Sequence, residues 1–260
     1  MFLQSVLLNS FSDVCTHGFF SAYDLELNPL NVAFNGVLNT DFEVNNNRKK
    51  IMQIFNGKHI YFNKQNHSNE VVYIKQEDMN IIQEKYRNSS FLGYVADSII
   101  TNVKNLVIGV YTADCVPLLI LDKKFNQVAC IHVSSKTLRD DIIKNTIDKM
   151  LINLVDKIDC DRFYCSFGPA IYVESYLVGK DFYNHFIQKS NEYKKFFIIT
   201  KNQEYFFNLQ EAIVYELNKL NIFNIEKIYK NTAIDEKYYS YRRSLGVETN
   251  RQASVIMLKE

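Results

Sequence analysis

Two strand-sized apolar runs, Val116 to Leu121 and Val128 to Val133, flank the polar stretch Lys123-Lys124-Phe125-Asn126-Gln127. This pattern reads as two strands joined by a hairpin loop. A sheet of that kind needs further layers, and the chain supplies them. Further strands are expected at residues 60–62, 71–74, 98–101, 106–111, 163–167, 196–200, 225–229 and 254–258. Helices are expected at 44–55, 138–155 and 210–220, with helical tendency over 76–90. In 138–155 the residues Leu138, Ile142, Ile143, Ile147, Met150, Leu151 and Leu154 form one stripe at helical spacing, and Ser134 or Ser135 can cap its start. Strands and helices mix without a strict βαβ rhythm, which favours α+β layers over a doubly wound parallel sheet.

The 260 residues are 47% hydrophobic and contain no low-complexity linker or internal repeat, so one domain over 1–260 is the simplest organisation. Thirty basic against 29 acidic residues provide no global attraction for nucleic acid or an anionic membrane. No apolar run approaches the roughly 18 residues of a membrane span, and no basic segment precedes an apolar one at the start. Five cysteines without a CxxC pair argue against a disulfide framework and for a reducing, cytoplasmic setting.

The chain lacks GxGxxG, GxxxxGK, HExxH and GxSxG. What stands out is Thr112-Ala113-Asp114-Cys115-Val116-Pro117, directly after the run 106–111. A Cys there is either a small buried hydrophobe or a group facing a cleft at a strand end. In a hairpin centred on Phe125, His132 lies opposite Leu118, with Cys115 just beyond the same end. Val128, Cys130 and His132 then share one face. His132 is either a core histidine or a partner of Cys115, and His67 is either a solvated loop residue or a group delivered to a site.

The segments Gln65-x-His67, Ala96-Asp97-Ser98-Ile99-Ile100-Thr101, Ala113-Asp114-Cys115-Val116-Pro117 and Val128-Ala129-Cys130-Ile131-His132, in this order, resemble the laccase-domain family. His17-Gly18-Phe19, Gly168-Pro169-x-Ile171, Tyr239-Ser240-Tyr241-Arg242-Arg243 and Asn250-Arg251-Gln252-Ala253-Ser254 extend the likeness over almost the whole chain. That family was long described as multicopper polyphenol oxidase. Its bacterial members are now regarded as purine nucleoside phosphorylases with adenosine deaminase activity.

The resemblance implies a layered α/β/β/α sandwich grouped with cysteine-hydrolase-like folds. It also implies a catalytic zinc site of His67, Cys115 and His132. One thiolate and two imidazoles suit zinc and leave a tetrahedral position open. Copper is the alternative single ion. Five histidines are too few for a laccase-type copper cluster. A phosphorylase also needs cationic groups for phosphate, and Arg48, Arg242, Arg243 and Arg251 are the candidates. The implied partners are a purine nucleoside (adenosine, inosine or methylthioadenosine) and phosphate.

Some positions depart from the family pattern. The usual His-Ala-Gly-Trp-Arg-Gly run reads His132-Val133-Ser134-Ser135-Lys136-Thr137, so Lys136 stands where Arg is expected. Thr-Arg-x-Gly-Gly-Val-Ser after the early Gly-Phe is replaced by Ser21-Ala22-Tyr23-Asp24-Leu25, and Ala170 stands where Cys is frequent. Two alternatives follow: a non-catalytic or substrate-shifted descendant, or a metal-free hydrolase or deamidase with Cys115 as nucleophile and His132 as base.

Overall fold

A computed structural model describes residues 2–34, 41–87, 93–151 and 161–260. Two large sheets stack face to face. The first runs in the order β1 (Phe2–Leu3), β2 (Cys15–Phe20), β14 (Gln252–Leu258), β6 (Leu106–Thr112), β3 (His59–Phe62). The second runs β13 (Asn224–Lys227), β9 (Phe163–Phe167), β7 (Val116–Asp122), β8 (Gln127–Val133), β5 (Ser98–Thr101), β4 (Val71–Ile74). Pairing is antiparallel except for β3 with β6, β4 with β5, and β13 with β9. A small third sheet joins β10 (Leu177–Val178), β12 (Tyr205–Phe207) and β11 (Phe197–Ile199).

The period-2 alternation of each strand divides its side chains between two cores. Leu119, Leu121, Val128 and Cys130 of the second sheet meet Ile108, Val110, Ile256 and Leu258 of the first in the layer between the sheets. Their neighbours Leu118, Ile120, Ala129 and Ile131 face the other way, toward α4 (Ser135–Arg139), α5 (Ile142–Met150), α6 (Lys180–Lys189) and α7 (Leu209–Lys219). On the far side, α2 (Asp41–Ile54) packs Ile51 on Val107, Ala253 and Val255 of the first sheet. The resulting order is helix, sheet, sheet, helix, with short α1 (Val6–Asn9) and α3 (Met79–Arg87) at the margins. Both sheets are thus covered on both faces, which is why their strands read as continuous apolar runs. Each fully buried Leu, Ile or Val there stabilises the fold by roughly 1.5–3 kcal/mol.

The sheets approach closely at the site end. A Cβ on Gly168 would lie 2.1 Å from the Phe19 ring and 2.8 Å from Pro117, so only glycine fits there. Its N–H donates to the Pro117 carbonyl at 3.0 Å.

Three expectations need correction. The helix over 138–155 is interrupted: α4 ends at Arg139 and α5 begins at Ile142. Asp141 between them adopts φ 65°, a left-handed conformation that a short polar side chain tolerates and that stops a helix. Residues 152–155 lie outside the described residues. The apolar stripe survives the break, because Leu138, Ile142, Ile143, Ile147 and Met150 are all buried in one core. The hairpin register differs by one residue, since Asp122 pairs with Gln127 and His132 therefore lies opposite Pro117. Asn126, at φ 49°, completes the turn and frees Gln127 to join β8. The strands expected at 196–200 and 225–229 are shorter and shifted, at Phe197–Ile199 and Asn224–Lys227. The elements β2, α6 and β12 were not anticipated.

Candidate metal centre

The carboxyl-terminal end of β6, the amino-terminal end of β7 and the end of β8 converge with the loop 63–70. At this convergence the ligand atoms of His67, Cys115 and His132 all lie within 4.8 Å of one another. The imidazole rings of His67 and His132 sit edge to face, with centroids 4.9 Å apart. His132 is buried, Cys115 is half-buried and His67 is exposed. Among the described residues this is the one group of three or more such donors placed to hold an ion.

Backbone geometry aims these side chains. Val116 opens β7 directly before Pro117, and the turn ahead of it carries Cys115 outside the strand. Asp114 takes φ 95°, an uncommon conformation for a residue with a Cβ, and His67 takes φ 58°. Gln65 and Lys136 help hold the His67 loop. The Gln65 amide donates to the Tyr111 carbonyl at 2.8 Å and accepts from the Tyr111 N–H at 2.8 Å. Lys136 Nζ donates to the His67 carbonyl at 2.5 Å. Lys136 therefore makes a cationic tie to the site.

Asp97 stands behind the imidazole of His132. Its Oδ1 is 2.7 Å from His132 Nδ1, while its Oδ2 accepts from the N–H groups of Ser68 (2.8 Å) and Asn66 (3.2 Å). A carboxylate on Nδ1 turns Nε2 toward Cys115 as the ligand nitrogen. Burial opposes charge on Cys115, but the facing imidazoles of His132 and His67 outweigh it and hold the thiol below its ordinary value. Burial likewise opposes charge on His132, and here Cys115 and Asp97 prevail and raise it. Burial works against ionisation of Asp97 too, yet His132 and the loop N–H groups hold its carboxyl low. The result is a thiol biased toward its charged form beside two histidine rings. Those donors match the preferences of zinc and of copper, so the residues fit a single ion of that kind.

The trio lines a cavity of about 530 Å³, within the usual range for small-molecule sites. Tyr111, Ile171, Tyr176, Leu209 and Tyr241 contribute apolar and aromatic wall. Ile171 and Tyr241 fall in segments that carry the family likeness, but none of the five is marked as a site residue by spacing, since the three tyrosines are lost among 17 Tyr and 19 Phe.

The four arginines separate into two groups. Arg242 and Arg251 line the cavity. Arg242 Nη1 donates to the carbonyls of Ser175 and Leu177, and Arg251 Nη1 to those of Glu248 and Asn250. Arg48 and Arg243 are not among the lining residues. Arg48 donates to the Val32 carbonyl at 2.9 and 2.7 Å between the rings of Phe34 and Phe62. Arg243 donates to the carbonyls of Thr232, Asp235 and Tyr238. All four guanidinium groups hold backbone carbonyls, and only those of Arg242 and Arg251 do so beside the cavity.

Fold and site together define a mixed α/β sandwich that presents two imidazoles and a thiol at the floor of a small-molecule cavity. Residues 19–259 match the model of the family described as multi-copper polyphenol oxidoreductase laccase, and the chain belongs to that family. Relatives include a purine nucleoside phosphorylase of Rickettsia prowazekii, 30% identical over 79% of this chain and 80% of that protein. Another, from Clostridium acetobutylicum, is 30% identical over 85% of this chain and 86% of that one. Among solved structures, a hypothetical protein of Bacillus licheniformis superposes with a TM-score of 0.78 at 25% identity, covering 94% of this chain and 93% of that one. A Neisseria meningitidis protein superposes with a TM-score of 0.77 at 22% identity, covering 95% of each, and shares the fold. No helix among the described residues is long and apolar enough to cross a membrane.

Proposed function

We propose that this chain is a zinc-dependent purine nucleoside phosphorylase with adenosine deaminase activity, acting on adenosine, inosine or methylthioadenosine. The observation that carries the reading is the His67–Cys115–His132 group on the wall of a cavity that Arg242 and Arg251 also line. The names of the relatives support the reaction class. Zinc held by the trio would supply a Lewis acid for the polar reacting atoms of the substrate, with copper as the alternative ion.

The chain's own residues account for the rest. Asp97 fixes the tautomer and direction of His132. Tyr111, Tyr176 and Tyr241 offer faces against which a purine packs, and Ile171 and Leu209 exclude water beside it. Arg242 and Arg251 bind phosphate and aim one of its oxygens at the anomeric carbon. As that oxygen bonds to C1′, the C1′–N9 bond breaks and the base leaves with its electron pair. In deamination, water adds at C6 and ammonia departs.

Incubating zinc-loaded protein with adenosine, with and without phosphate, and separating the products tests both activities. Adenine is expected only with phosphate, and inosine in both mixtures. No product from either mixture overturns the reading in favour of the non-catalytic or substrate-shifted descendant.

A second reading draws on the order Cys115, His132, Asp97, which is that of a nucleophile, a base and its orienting carboxylate. It describes a metal-free hydrolase or deamidase. Stoichiometric alkylation of Cys115 in the as-isolated protein, with no metal released, would favour it.

A further inference from the structure

Asp114 immediately precedes Cys115, is buried, and lines the same cavity as the trio, and its carboxylate is taken up by other segments. Its Oδ1 accepts from Thr232 Oγ1 and Ser240 Oγ, each at 2.7 Å, and its Oδ2 accepts from the backbone N–H of Arg242 at 2.6 Å. Its carbonyl accepts from Ile171 N–H at 2.8 Å. One residue thus joins the Cys115 turn to three other segments around the cavity. Two of its partners, Ile171 and Arg242, line the cavity themselves. The backbone at Asp114 is held at φ 95°, so these bonds fix a conformation that the residue would otherwise rarely adopt. The Arg242 guanidinium is anchored separately by the carbonyls of Ser175 and Leu177. The Asp114 contact sets where its main chain begins.

We propose that Asp114 is a positioning residue that holds Arg242 at the distance from Cys115 where a bound phosphate meets the nucleoside. The inference rests on the phosphorylase reading for its substrate, and on the hydrogen bonds for its geometry. Replacing Asp114 by Asn is chemically selective. The amide oxygen can still accept from Thr232 and Ser240, but the amide nitrogen then opposes the Arg242 N–H, donor against donor. Arg242 is released while the side-chain volume stays the same.

The test combines D114N, R242A and the double variant, all zinc-loaded, with T232V as a control that loses an Asp114 bond without releasing Arg242. D114N is expected to raise the KM for phosphate about tenfold, with kcat within about twofold and zinc content unchanged. The double variant should be no worse than R242A alone, because both changes act on one element. T232V should leave the phosphate KM near that of the wild type. Additive effects of D114N and R242A, or equal weakening of nucleoside and phosphate by D114N, would overturn the proposal.

Calorimetric titration with inorganic phosphate separates this inference from the reading beneath it. Phosphate binding by wild type that D114N leaves unweakened overturns the role of Asp114. Binding that D114N weakens, in a protein without turnover, overturns the phosphorylase reading and supports the positioning role. No phosphate binding by wild type overturns both. Should D114N not fold, S240A enters the same cycle with R242A: unlike T232V it also removes the hydroxyl that accepts the Arg243 N–H at 3.0 Å, which loosens the main chain beside Arg242, and a smaller effect of the same kind is expected.

Discussion

Asp97 divides its carboxylate between two elements of the site: Oδ1 meets His132 Nδ1 at 2.7 Å, and Oδ2 takes the N–H of Ser68, next to His67, at 2.8 Å. A single buried side chain therefore orients one imidazole and positions the loop that carries the other. Asp97→Asn keeps one acceptor but turns an N–H₂ toward the other partner, so it cannot serve both. Loss of such an outer carboxylate lowers metal affinity by roughly 10–100-fold. Competition with a chromophoric chelator should show this drop in D97N while the far-ultraviolet dichroism stays that of the wild type.

Cys115 is the one sulfur ligand of the trio, and its thiolate is the donor that most distinguishes a zinc or copper site from a hard-cation site. Cys115→Ala should leave little metal bound after dialysis against buffer, and elemental analysis of the purified variant measures it. Metal content equal to that of the wild type would remove Cys115 from the site.

His17 makes a prediction about stability rather than catalysis. It is fully buried on β2, and its Nε2 accepts from the Ser5 N–H at 2.8 Å, which requires the neutral ring. Burial lowers its pKa to about 4, partly offset by the nearby Glu226 carboxylate. The unfolded chain, with an ordinary imidazole pKa near 6.5, binds the proton first as pH falls. Stability from this residue is therefore complete above pH ~6.5, declines through the interval down to about 4, and is lost below it. At ~1.4 kcal/mol per unit, the loss is on the order of 3 kcal/mol. Urea denaturation at a series of pH values should show this slope in wild type and not in His17→Gln. An equal slope in both proteins would assign the effect elsewhere.

The far end of β7 carries a buried ion pair. Arg162 Nη2 and Nε approach the Asp122 carboxylate at 2.7 and 3.0 Å, with both side chains almost fully enclosed. Truncating one member leaves the other as an uncompensated buried charge, at a cost of roughly 3–5 kcal/mol. Asp122 lies at the opposite end of β7 from Cys115, about 20 Å away at ~3.3 Å per residue. Arg162→Ala should thus lower the denaturation midpoint sharply with metal content unchanged. Loss of metal in proportion to stability would mean that the two ends of the strand are coupled.

The strands 71–74, 98–101 and 163–167 were legible to the residue, because buried runs bounded by polar segments leave little choice of ends. The break at Asp141 was not. Apolar spacing there is helical throughout, and only the left-handed backbone between α4 and α5 interrupts it. The strand β12 escaped notice for a related reason: Tyr205–Phe207 has three residues, too few to show an alternation. Tyr241 lies in a segment that carries the family likeness, but no spacing separates the rings of the cavity wall from the many others.

By itself the sequence determined which groups are available for chemistry, and it ordered the buried strands on which they ride. Period-2 alternation places Val128, Cys130 and His132 on one face whatever the rest of the chain does. Tertiary structure decided which of those groups meet. Cys115 and His132 come together through the β7–β8 register, and His67 joins them only because Asp97 and Gln65 hold a loop from elsewhere in the chain. The four arginines are alike as residues. All four donate to backbone carbonyls, but only Arg242 and Arg251 do so at the cavity wall, because the place of a guanidinium depends on where its acceptors lie, and only the folded chain arranges those.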